Sequence, residues 1–167
     1  EVHKEKLRKE TDSELTKLRG SVEVEVEKVK LRFSLYSQKQ FELYNDLWLK
    51  LCELRRAMDG LWREATTENL WNFQEKLLSA RDVLEQRAIL IEPHHYNELH
   101  HILNEFGYYQ MGKLNLIEMR REKERGRIFE DELIGQLIIH NGQLKTKLQT
   151  YLDQMRDCLR SQISGNY

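Results

Sequence analysis

The stretch "YSQKQFELYNDLWLKLCELRRAMDGLW", Tyr36 to Trp62, decides how the chain folds. Leu43, Leu47, Leu51, Leu54, Met58, Leu61 and Ala65 follow one another in steps of 4, 4, 3, 4, 3 and 4. That spacing puts one side of an α-helix in apolar contact, because residues three and four apart share a face. Phe41, Tyr44, Trp48 and Trp62 lie on a neighbouring face. A helix that is apolar over more than one stripe packs against more than one partner. The segment therefore predicts the central helix of a bundle.

Working back toward the N-terminus, Leu7, Leu15, Leu18, Val22, Val26, Val29 and Phe33 form a narrower row, with polar Thr11 in it. Its steps run 4-4-3-4-4-3-4, nearer an eleven-residue repeat than a heptad, which implies a straight or slightly right-handed seam. "VEVEVE" (Val22 to Glu27) alternates as a strand does, but no second strand is present to pair with it. A helix is expected, with Gly20 a weak point costing about 1 kcal/mol relative to alanine.

Toward the C-terminus, "ATTENL" breaks the pattern, and Thr66 or Thr67 supplies an N-cap with Glu68 in the first turn. A second seam follows at Leu70, Phe73, Leu77, Ala80, Leu84, Ala88 and Ile91. Pro93 forces Glu92 out of the helical region and opens a third helix, antiparallel to the second. Leu99, Ile102, Leu103, Phe106, Leu114 and Ile117 form the third seam. "RREKERGR" (Arg120 to Arg127) has no apolar residue and is read as a turn. The last helix begins near Ile128 and buries Leu133, Leu137, Leu144, Leu148, Tyr151, Met155 and Cys158 before the polar tail "SGNY".

The fold expected is all-α: a coiled-coil-like arm over residues 1–38 and an antiparallel bundle of four helices over 39–167. The bundle helices are expected at 39–64, 67–91, 93–121 and 128–163. Composition agrees, with one proline, few glycines and 33% charged residues, as long amphipathic helices need. The 27 basic residues balance 28 acidic ones, so no global field favours nucleic acid or an anionic membrane. No apolar run approaches a membrane span and no signal peptide is visible. Cys52 and Cys158 lack a disulfide framework and are expected as reduced, half-buried residues of a cytoplasmic protein. The chain starts at Glu1, which suits a fragment of a longer protein.

One stretch looks like chemistry. "IEPHHYNELHHILNEF" (Ile91 to Phe106) holds four of the six histidines and repeats Glu-x-x-His at Glu92/His95 and Glu98/His101. Di-metal carboxylate proteins place that spacing on two facing helices, pointing inward. Here both copies share one stretch, and the first spans the break before Pro93. His94, Glu98, His101 and Glu105 fall roughly 100–160° from the Leu99/Leu103/Phe106 seam, toward water. They are read as pairs, His94 with Glu98 and His101 with Glu105, each adding about 0.2–0.5 kcal/mol. No phosphate loop, catalytic triad order or Cys-x-x-Cys is present. No catalytic, cofactor-binding or metal-ligating residue is assigned, and no small-molecule substrate is identified. The tryptophans at 48, 62 and 71 are read as core or interface anchors.

The central segment, preceded by a charged helix and followed by "LIEPHHYNEL", resembles a group of uncharacterised bacterial helical proteins. In them a coiled arm leads into a helix of the form Lys/Arg-x-Phe-x-x-Tyr-x-x-Leu-Trp/Tyr. The resemblance covers residues 20–121 and implies a bacterial, cytoplasmic protein built as one helical unit. It carries over no functional residue. The expected function is a non-enzymatic interaction or scaffold module whose apolar row needs a protein partner, another protein or, most simply, a second copy in a homodimer through residues 7–33. Two alternatives come from other classes. One is a nucleic-acid-associated protein using the basic turn at 120–127, and the other a metal-dependent enzyme on the His/Glu face of the third helix.

Overall fold

In the computed structural model the backbone is described from Val2 to Ser164, and the side chains over that span except at residues 2–4, 6–8, 162 and 163. Four α-helices make up the fold, and no strand occurs among the described residues. Helix α1 is Val2–Arg63, α2 is Thr67–Gln86, α3 is Pro93–Glu124 and α4 is Asp131–Ser164. "VEVEVE" is helical, as its missing partner strand requires. The chain divides into two units, residues 1–40 and 41–167.

In the first unit every residue from 9 to 39 is exposed. Local contacts decorate this helix: Thr16 and Ser21 hydroxyls donate to the carbonyls of Asp12 and Leu18, and Lys28 pairs with Glu25 at 2.9 Å. Its apolar row lies in the open, with Leu18 61% and Phe33 71% accessible. Leu7, the first member of the expected row, has a side chain outside the described ones.

The second unit holds one continuous apolar core. From α1 it receives Leu43, Tyr44, Leu47, Leu51, Leu54, Met58 and Leu61. The row read from the sequence is thus the buried one, at about 1.5–3 kcal/mol for each large side chain taken from water. Helix α2 gives Leu70, Phe73, Leu77, Ala80 and Leu84. The Phe73 ring sits 6.1 Å from Phe106 and 5.6 Å edge-on to Tyr109. Helix α3 lies between α2 and α4 in close contact with both. Helix α1 is tied to its neighbours by side chains: Tyr109 Oη donates to the Met58 carbonyl at 3.3 Å, and Lys145 pairs with Asp59 at 3.0 Å.

The junctions follow the chemistry of their residues. Thr66 caps α2, its hydroxyl oxygen accepting the Asn69 N–H at 3.2 Å. Helix α2 ends at Gln86, short of the expected 91. Arg87 leaves the helical region, Ala88–Leu90 tighten into a 3₁₀ turn, and Ile91 turns extended and buried ahead of Pro93. Proline disfavours helical backbone at Glu92, and the departure spreads back through the preceding residues. Helix α3 outruns the expected 121, because "RREKE" is made of helix formers. It stops at a Schellman cap: Arg127 N–H donates to the Glu122 carbonyl and Gly126 N–H to that of Lys123. Gly126 takes the left-handed φ of +92° that this cap needs. Helix α4 begins at Asp131, after the expected 128, and Ile128 is exposed. Of the polar tail, residues 165–167 lie outside the described ones.

Three seam assignments need correction. On α3 it is Lys113, not Leu114, that faces the core. On α4 the buried face is Asn141, Leu148, Leu152, Met155 and Leu159, while Leu133 and Cys158 are exposed. Cys158 lost its place to Leu159 because α4 carries apolar residues on adjoining faces, and the one aimed at α1 and α3 is the Leu148/Leu152/Met155/Leu159 row. Trp71 is exposed, whereas Trp48 and Trp62 pack against the core.

Candidate functional site

The histidine stretch runs from the break at Ile91 and Glu92 through about the first four turns of α3, launched by Pro93 at its first position. His94, Glu98 and His101 are exposed, and His94 Nε2 lies 3.8 Å from Glu98. The second expected pair is replaced. Glu105 reaches across to Lys147 of α4 at 2.9 Å, and His101 sets its ring edge-on to Tyr151. A glutamate facing a lysine on the next helix gains a full charge partner. Among the described residues no group of three or more His, Cys, Asp or Glu is placed to hold a metal ion.

His95 reaches across to α1. It lies half-buried against Tyr44, with Oη and Nδ1 3.0 Å apart, and the same hydroxyl accepts the Glu92 N–H at 3.2 Å. Burial and the neighbouring His94 hold its pKa below the usual imidazole range.

The basic run is occupied within the fold. Arg120 donates to the Ala65 carbonyl at 3.2 Å and Arg121 to the Thr67 hydroxyl at 2.6 Å, stapling the α1–α2 connection to α3. Lys123 pairs with Asp131, and Arg125 and Arg127 both turn onto Glu122. Arg120 to Glu124 are helix and Arg125 to Arg127 form its cap, so the run offers a set of tethered cationic groups.

A feature that periodicity does not reveal sits where the end of α1 meets α3 and the start of α4. A cleft of about 370 Å³ opens there. Trp62, Leu116, Met119, Ile134 and Ile138 give it apolar walls, and Arg63, Lys113, Arg120 and Lys123 are its charged lining residues. Lys113 is only 5% exposed and places its ammonium 4.1 Å from the Trp62 ring centre. Burial, with Arg120 and Lys145 nearby, pushes its pKa down to about 8. Behind it, Asn141 is fully buried, and neither its Nδ2 nor its Oδ1 has a hydrogen-bond partner among the described residues. Gly112 makes room for that amide: a Cβ at 112 would collide with Asn141 Oδ1. Gly142 in turn passes under Trp62, whose ring would lie 3.2 Å from a Cβ there. A lysine and an asparagine score as surface residues in any periodicity count; only the two glycines, as points of close approach, signal in the sequence that the helices touch here.

No helix among the described residues is long and apolar enough to cross a membrane. Set against protein-family models, curated proteins and solved structures, the chain matched none.

Proposed function

We propose that the protein is a non-enzymatic helical interaction module that associates with a second copy of itself through the row Leu15, Leu18, Val22, Val26, Val29 and Phe33. The carrying observation is that every described member of this row is an exposed large apolar residue. A one-sided apolar row on a long helix is what a helix partner covers, and burying each side chain contributes about 1.5 kcal/mol or more before association entropy is subtracted. Charge favours a second copy as that partner. Glu14 and Glu25 flank one side of the row, and Arg19 and Lys30, each five residues further on, flank the other. In a parallel, in-register pair each glutamate of one chain meets the basic residue of its partner. Thr11 and Gly20 weaken the row, so the pairing is reversible. The bacterial and cytoplasmic setting belongs to the same reading, supported by the resemblance over residues 20–121 and by two cysteines without a framework.

Sedimentation equilibrium tests it. The wild type should pass from monomer to dimer across the micromolar range. Val22→Asp with Val29→Asp puts unpaired charges in the row and should leave a monomer with unchanged helical content in the bundle. A wild type that stays monomeric at high concentration removes the basis of the proposal.

A further inference from the structure

We infer that the cleft between Trp62, Lys113 and Ile138 is a binding site for a small carboxylate with an apolar body, held by its anionic group on Lys113 and Arg120. Four observations converge on it. The cleft's volume of about 370 Å³ lies in the range of small-ligand pockets. Its walls are apolar, with one indole, and its polar lining is cationic without a single carboxylate. Arg63, Lys113 and Arg120 make no ion pair among the described residues. The two acids close by are engaged elsewhere, Asp59 with Lys145 at 3.0 Å and Asp131 with Lys123 at 3.6 Å.

Lys113 is the central residue of the site. A buried ammonium normally has a carboxylate beside it, since burying a charge unpaired is strongly unfavourable. The Trp62 face at 4.1 Å offsets part of that, and the Tyr109 ring at 5.7 Å adds little. Arg120 and Lys145 act in the opposite sense, as like charges. What remains unmet is an anion. A carboxylate resting on Lys113 and Arg120 would complete both cations, and its apolar body would cover Trp62, Leu116 and Ile138. The cleft is concave and bounded by three helices, which suits a compact molecule better than an extended acidic chain.

The probe is 2-naphthoate, with 2-naphthylmethylammonium as a control of similar shape and opposite charge. Titrations of the full chain are followed by calorimetry and by the Trp62 indole N–H resonance, assigned with Trp62→Phe. We expect saturable binding of naphthoate, one per chain, with a shift of the Trp62 signal, and binding of the ammonium weaker by about tenfold or more. Lys113→Met should weaken naphthoate by about tenfold or more, and Lys113→Arg should recover most of it. If Lys113→Met does not fold by circular dichroism, Arg120→Gln takes its place with the same expectation. Equal binding of the two probes, unchanged affinity in the charge-removing variant or no saturation each overturns the assignment. So does a glutamate-rich peptide that binds at Trp62 when naphthoate does not.

Discussion

Helix α1 carries two apolar rows of the same spacing with opposite fates. From Leu43 to Leu61 the row is in the core, and Leu54 has no accessible surface at all. From Leu15 to Phe33 every member is exposed. The spacing is the same in both, steps of three and four, so periodicity tells which side of a helix is apolar and nothing about what covers it. The difference lies beside the row. Tyr44, Trp48 and Trp62 flank the first and give it a surface wide enough for several helices, while the second is flanked by Glu14, Arg19, Glu25 and Lys30. Width of the apolar face, more than its rhythm, separates core from seam.

The largest contrast should come from shortening one leucine in each row. Leu54→Ala should cost about 2–5 kcal/mol in denaturant unfolding of the bundle, through lost transfer energy and the cavity left behind. Leu18→Ala, measured at a concentration where the chain is monomeric, should move the same transition by less than about 0.5 kcal/mol. A similar loss at both positions would mean that the arm's row is covered within the monomer.

The second test separates a covered lysine from all the exposed ones. Lys113 has a folded pKa of about 8, pushed down from 10.5, so between those values the unfolded chain binds more protons than the folded one. Stability therefore gains from Lys113 as pH rises from about 8 to 10.5, and below 8 the full penalty of the buried charge is present. The gain amounts to about 1–3 kcal/mol, at about 1.4 kcal/mol for each pH unit between the two values and allowing for solvent relaxation. Groups around it titrate or carry charge as well: Arg63, Arg120, Lys123, Lys145 with Asp59, and Tyr109, whose phenol is pushed up by burial and by Asp59. The measurement is thus the wild-type minus Lys113→Met difference in unfolding free energy between pH 7 and 10. The Lys113→Met variant should be the more stable form at pH 7, with its advantage shrinking as pH rises. A difference that is flat with pH would contradict the buried-charge account.

Two glycines, one from each region, make the last contrast. Gly112→Ala should destabilise by about 1–3 kcal/mol, since its Cβ collides with the Asn141 amide. Shortening that amide in Gly112→Ala/Asn141→Ala should return most of the loss. Gly20 has open space around it, so Gly20→Ala should stabilise the arm helix by about 0.5–1 kcal/mol. Thermal melts of the three variants decide both points, and a stabilising Gly112→Ala would mean that α3 and α4 do not approach as described.

The sequence made the helices legible because one proline, one capping threonine and one left-handed glycine punctuate it: Pro93, Thr66 and Gly126. It also exposed the two rows of α1. It misled on α4, where Leu133, Leu137, Ile138 and Ile139 crowd several faces and spacing alone does not choose among them. The cleft was invisible for a different reason. Lys113 enters the core along its aliphatic stem and ends on an aromatic face, and a pattern that scores lysine as polar turns it outward. Asn141 was passed over on the same ground.

The Tyr44 hydroxyl has a consequence for proton positions. It accepts the Glu92 amide hydrogen and lies 3.0 Å from His95 Nδ1, and its second lone pair and its hydrogen let it meet that nitrogen as acceptor or as donor. With the neutral imidazole's hydrogen on Nε2 the phenol donates to Nδ1, and with it on Nδ1 the ring donates to the phenol. Protonating His95 puts a hydrogen on both ring nitrogens, so that Nδ1 can only donate to the phenol oxygen. Burial and His94 hold the His95 pKa down against the pull of Glu92 and Glu98, so acid works against this joint between α1 and α3.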